Sequence, residues 1–214
     1  MMPSDTILIA LQVVALLFAV SFHESAHGLA ALACGDTTAR DLGRISLNPL
    51  RHVDPFGSVV LPVLLALAGA PVFGWAKPVP VDLSRTREPR KANLLVSAAG
   101  PLSNVLLALL FALVVLLLRD HVEGPVRDSA LGLVLLLAFF SVLINVVLAL
   151  FNLLPIPPLD GFGVLESLLP RRLHPFAFAL RRYGMAILLV AMVTGAVGQV
   201  LTPVRRAAVR LLLG

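Results

Sequence analysis

Apolar residues gather in five stretches, at about 7–33, 56–73, 92–118, 130–153 and 183–201. Crossing a bilayer as helix takes ~20 predominantly apolar residues. Four stretches meet that length. The second, "FGSVVLPVLLALAGAPVF", carries Gly57, Pro62, Gly69 and Pro71, which interrupt a helix. The pattern predicts an all-α polytopic membrane protein with about four spanning helices (five or six by hydropathy alone) and a re-entrant segment at 56–73. Between the second and third stretches, "WAKPVPV" alternates Trp75, Lys77, Val79 and Val81 on one face with Ala76, Pro78 and Pro80 on the other. It predicts a short membrane-associated β element, confined to an edge because two of its residues lack an N–H. The end of the chain, "PVRRAAVRLLL" at 203–213, predicts a short amphipathic helix on the membrane surface.

Composition agrees. Of 214 residues, 58% are hydrophobic and 14% charged, against ~45–50% and ~25% in soluble domains. The length suits one domain, 1–214. The net charge of +5 is spread over several loops without interleaved aromatics. That fits cytoplasmic anchoring rather than nucleic-acid binding. A single cysteine, Cys34, leaves neither an internal disulfide nor a multi-cysteine metal site. The first apolar stretch is too long for a signal peptide and follows "MMPSD", which has no basic residue, so it is expected to be a retained helix.

That first stretch contains "AVSFHESAHGLAAL". A charged group at the centre of a membrane helix costs about 2.5–3.5 kcal/mol on insertion scales, so three ionisable side chains there need a reason. His23 and His27, four apart, share a helix face and can reach one metal ion, while Glu24 sits beside the ion, where a general base for a metal-activated water belongs. Catalytic zinc usually takes three protein ligands and a water. His52, His121 and His174 are candidates for the third, each among charged neighbours. Asp160 is another. It lies in "FNLLPIPPLDGFG", where Pro155, Pro157 and Pro158 prevent regular helix, and non-helical backbone at membrane depth is tolerated only where protein buries it or it lines a cavity.

In that order "HESAH", "AGPLSN" at 99–104 and "NLLPIPPLDG" at 152–161 resemble the site-2 protease family of intramembrane zinc metalloproteases. "LNPLRHVDPFG" and "GWAKPVPVD" look like its compact prokaryotic branch. The resemblance runs from about residue 15 to 165. It implies that His23, His27 and Asp160 bind one zinc ion, that Glu24 is the catalytic carboxylate, and that Asn104 lies near the substrate. It also implies a zinc core over about 7–165, with a C-terminal helix and surface segment over 166–214.

Bringing Asp160 to the histidines requires the helices at 7–33 and 130–153 to end on the same side of the membrane, which fails if 56–73 crosses. With 56–73 re-entrant, twelve Lys and Arg fall on the metal side and five on the other; with five crossings the split is nine to eight. The first arrangement makes the metal side cytoplasmic. The expected function is an intramembrane zinc endopeptidase acting on transmembrane protein substrates within the lipid bilayer of a prokaryotic cell membrane. Lys77 and Val79 are expected to hold unwound substrate by adding it as a strand. The rivals are a metal transporter or sensor, which would not need Glu24, and an inactive helix-binding scaffold, which would need none of the ligands.

Overall fold

The computed structural model describes residues 3–67, 74–122, 124–126 and 128–213. Helix α1 (Pro3–Ala33) carries the His-Glu-Ser-Ala-His stretch. A short α2 (Thr38–Asp41) follows, then a wide helical turn (Pro55–Val60) running into α3 (Leu61–Leu67). The long helices α4 (Pro89–Leu118) and α5 (Ala130–Asn152) come next. The chain ends with α6 (Asp160–Leu168), α7 (His174–Val193) and α8 (Ala196–Leu213). Among the described residues four helical stretches are long and apolar enough to span a membrane: Thr6–Ala33, Pro89–His121, Ala130–Asn152 and Arg171–Val193.

Helices α1, α4 and α5 pack on one another and form the centre of the molecule. Small residues let α4 and α5 approach closely: Ala108 and Ala112 face Val142 and Val146, all buried. This is the dispersion-driven packing that serves in lipid, where apolar area alone gives helices no reason to associate. Large apolar side chains such as Leu106, Leu110, Leu113 and Leu117 point outward instead.

Three expectations need correction. The fourth spanning helix begins nine residues before the predicted start and ends at Val193 rather than 201, because the chain turns at Gly195 (φ +75°), a conformation that favours glycine. The C-terminal amphipathic helix is the second half of α8, and Ala208, Leu212 and Leu213 dock on the α4–α5 seam rather than leaving the helix apart on the surface. Third, no strand occurs among the described residues, and Gly74–Val81 is irregular backbone. Its inward amides each find a different partner. Trp75 N–H donates to Gly57 O (3.2 Å), Lys77 N–H to His52 O (2.8 Å), and Val79 N–H to the Glu24 carboxylate (2.8 Å). With acceptors drawn from three separate elements, no β ladder can form.

The wide turn and α3 cover residues 55–67. The remainder of the predicted re-entrant stretch, 68–73, lies outside the described residues. Its two flanks meet: besides the Trp75–Gly57 bond, Ser58 Oγ donates to Trp75 O at 2.8 Å.

Candidate metal centre

His23 and His27 lie one turn apart on α1, both buried. Each ring is fixed through Nδ1. His27 Nδ1–H donates to the Val96 carbonyl of α4 at 2.7 Å, an acceptor with no proton to give. His23 Nδ1–H donates to Asn104 Oδ1 at 2.6 Å. In neutral rings both Nε2 atoms are then lone-pair acceptors, and they face each other at 3.1 Å. Asp160 Oδ2 completes a triangle, 3.1 Å from His23 Nε2 and 3.4 Å from His27 Nε2. It is buried and has no hydrogen-bond partner.

Three acceptors held together without a shared proton repel unless a cation joins them. Tetrahedral zinc with ~2.0–2.1 Å ligand distances sets its ligand atoms about 3.3 Å apart. The triangle matches that spacing, and among the described residues this is the group placed to hold a metal ion. Gly100 of α4 makes room: a Cβ there would lie 2.5 Å from His27 Nε2 and 2.6 Å from His23 Cε1.

Asp160 arrives because α6 is clamped. It stands in the first turn, where the helix dipole favours a carboxylate. Arg90 of α4 caps the other end, Nε donating to Ser167 O (2.6 Å) and Nη2 to Leu169 O (2.9 Å). Asn93 Nδ2 donates to Gly163 O and to Ser167 Oγ. Arg181 of α7 pairs with Glu166 and lies over the Phe162 ring at 5.6 Å. A cleft of about 220 Å³ bordered by Asn93, Ser97, Pro157, Asp160, Phe162 and Arg181 opens beside the ligand.

Glu24 is half-buried, with Oε2 held by Val79 N–H. Two residues outside the predicted site hold the Gly74–Val81 strap in register. Asp36, fully buried just beyond α1, accepts from Thr38 N–H and Asp82 N–H at 2.9 and 2.7 Å. Burial pushes its carboxyl up, but the Thr38 hydroxyl and these amides outweigh that and hold it below the usual carboxylate range. His52 is buried too. Nε2–H donates to Ser46 O (2.7 Å), and its own carbonyl takes Lys77 N–H. It organises the loop and does not join the metal triangle, and neither do His121 and His174.

Two expected substrate contacts are placed differently. Asn104 has no exposed surface and spends both ends of its amide: Oδ1 on His23, Nδ2 on Ala19 O (3.3 Å) and Asn145 Oδ1 (2.8 Å). Its amide thereby ties the His23 ring to α1 and α5. Asn145, which the sequence reading passed over, fixes the Asn104 flip by donating its own Nδ2 to Ser141 O. Lys77 and Val79 direct their amides inward, so the donor edge expected to capture substrate is already taken. Asn104→Ala is expected to bind zinc 10–100-fold more weakly, the usual cost of losing an outer partner of a metal-bound histidine. Competition with a chelator of known affinity measures it; unchanged affinity would remove Asn104 from this role.

A His-His-Asp metal site with an adjoining glutamate, set among membrane-length helices, defines a membrane metallopeptidase. Comparison with known proteins places it further. The model of peptidase family M50 matches residues 11–130 and 119–194, and the chain belongs to that family. It is 40% identical to YwhC of Bacillus subtilis over 197 residues, 91% of this chain and 85% of that one. It is 32% identical to Rip2 of Mycolicibacterium smegmatis over 184 residues (86% and 66%), and 33% identical to Rip2 of Mycobacterium tuberculosis over 175 residues (81% and 63%). Each of these is named as a candidate zinc metalloprotease. No solved structure matches. The chain is accordingly a zinc-dependent peptide hydrolase and an integral membrane protein.

Proposed function

We propose that the protein is an intramembrane endopeptidase that cleaves peptide bonds within or near transmembrane segments of other membrane proteins, as one catalytic domain over 1–214. The observation that carries this reading is the depth of the site. His23 lies ten residues before the end of α1, ~15 Å into the helix at 1.5 Å per residue, so the reacting bond must enter the apolar layer.

His23, His27 and Asp160 would hold the zinc ion, which would supply a Lewis acid able to lower the pKa of a water toward ~7 and to polarise a carbonyl. Glu24 is the general base and acid. It accepts the proton of the attacking water and returns it to the leaving amine nitrogen. The Val79 amide steers the carboxylate by holding Oε2 and leaves Oε1 for the proton. Asn104 and the Val96 carbonyl keep both imidazoles in the tautomer that turns Nε2 to the metal. The cleft beside Asp160 is the route for water. Lys77 and Val79 then serve substrate indirectly, as the strap that sets Glu24.

A purified preparation given a single-span membrane protein should cut it inside the apolar segment, with the new termini located by mass spectrometry. Cleavage confined to the soluble flanks would overturn the intramembrane reading.

The metal side is the cytoplasmic face of the cell membrane in this account, and 56–73 is re-entrant. The paired flanks at Gly57, Ser58 and Trp75 support the second point, and the excess of basic residues supports the first. Single cysteines at Thr38 and Ser84 should both react with an impermeant thiol reagent from the cytoplasmic side only. Labelling from opposite sides would defeat this topology.

A further inference from the structure

A shallow basin of about 550 Å³ lies outside the His-His-Asp group. Arg44, Arg51 and Lys77 border it with Asp41, Leu42 and Leu50. None of the three cations has a carboxylate partner among the described residues. Arg44 Nη2 donates to the carbonyls of Lys77 (2.8 Å) and Pro78 (3.3 Å), and Arg51 Nη1 to that of Gly43. Arg44 Nε is buried without any acceptor. Asp41, the acid on the rim, is already taken by Arg40 (2.9 Å) and the Thr37 hydroxyl (2.6 Å). Two guanidinium groups are therefore fixed in place by neutral carbonyls with their charge uncompensated, which is how a protein prepares for an incoming anion.

The level of the basin narrows the anion. Its loop runs back along α1: Ser25 Oγ donates to Ser46 O at 2.9 Å, and Ile45 fills the space over Gly28. Ser25 lies eight residues before the end of α1, ~12 Å by helical rise, so the loop folds back beside α1 instead of standing clear of its end. Leu42 and Leu50, which border the basin with the cations, are 64% and 80% exposed. A dissolved anion has no use for an apolar rim; a lipid, with a phosphate above acyl chains, matches both parts.

We propose that this basin binds a phosphate-bearing anion and that its occupant is the headgroup of an anionic phospholipid in the leaflet on the metal side. Binding there would bear on Arg44, which holds the strap two residues before the amide that steers Glu24.

The test uses the full chain in neutral detergent, with lipid retention read by native mass spectrometry. The additives are dioleoylphosphatidylglycerol and dioleoylphosphatidylcholine. Wild type should retain the glycerol lipid in preference. Arg51→Gln should lose about fivefold of that retention, the factor that corresponds to ~1 kcal/mol per basic residue at an anionic surface. Arg44→Gln/Arg51→Gln should lose more, and Arg205→Gln/Arg206→Gln, at the far end of the chain, should lose none. Zinc content serves as the check of folding, and Arg51→Gln alone decides the matter if the double variant fails it. A second arm compares thermal unfolding in inorganic phosphate and in chloride at equal ionic strength. Phosphate stabilisation lost in Arg51→Gln, with the two lipids retained alike, would overturn the lipid source and assign the site to a soluble anion. Equal retention by wild type and Arg51→Gln, or an equal loss in the Arg205/Arg206 control, would overturn the site itself.

Discussion

Glu24→Gln should keep its zinc and lose about 10²–10⁴-fold in the rate of peptide hydrolysis, the usual contribution of a positioned general base. The substitution is chosen for what it preserves. Glu24 takes the Val79 N–H through one oxygen at 2.8 Å, and glutamine retains a side-chain oxygen to accept that bond. The strap should stay in register, and the two histidines on either side of the position are untouched. What disappears is the ability to take a proton from water and give it to nitrogen. Comparing membranes with wild type and with Glu24→Gln by proteomics would read the loss as accumulation of uncut transmembrane substrates, and elemental analysis would report the zinc. A variant with more than a tenth of wild-type turnover would mean that another group moves the proton. Metal flux across the membrane that survives the substitution would favour the transporter.

Asp160→Ala should remove the metal. Its Oδ2 is the third corner of the acceptor triangle and has no other partner, so alanine deletes a ligand and breaks no hydrogen bond. The fold around it does not depend on that oxygen. Helix α6 remains tied by Arg90, Asn93 and Arg181, and the two histidines remain tied by Asn104 and Val96. Two imidazoles alone hold zinc far more weakly than three ligands. The affinity should fall by well over the ~10–100-fold that an outer partner costs, enough for the variant to be purified essentially without zinc. Loss of α-helix content in step with the zinc would instead mark Asp160 as structural.

How much of this was legible in the sequence depended on whether the signal was local. His23, Glu24 and His27 announce themselves because their spacing matches one turn of helix and their charge is out of place in an apolar stretch. Asp160 is harder: three prolines mark a break where a lone carboxylate suits a ligand better than His52 among its charged neighbours, and the resemblance to a protease family implies the same residue. Asn104 came with that resemblance, and its partner Asn145 did not, because one amide in an apolar helix gives no hint of which residue 41 positions away it will meet. The alternation in "WAKPVPV" predicted a strand that the structure does not form. It could not reveal that the donors on one face would be consumed by Gly57, His52 and Glu24, since hydrogen bonds to carbonyls of distant loops leave no periodic trace. The C-terminal helix forms as the pattern predicts, but its docking on the bundle was hidden for a related reason. Hydropathy sees Leu212 and Leu213 as one face of an amphipathic segment and is blind to the alanine seam on α4 that receives them.

The ligand set is tested most directly by X-ray absorption at the zinc edge of the purified wild type. The account requires one zinc per chain, nitrogen and oxygen neighbours at about 2.0–2.2 Å, and the outer-shell pattern of two imidazoles, with one light neighbour fewer in whatever zinc Asp160→Ala retains. A third imidazole, or an unchanged first shell in a fully zinc-loaded Asp160→Ala, would contradict it.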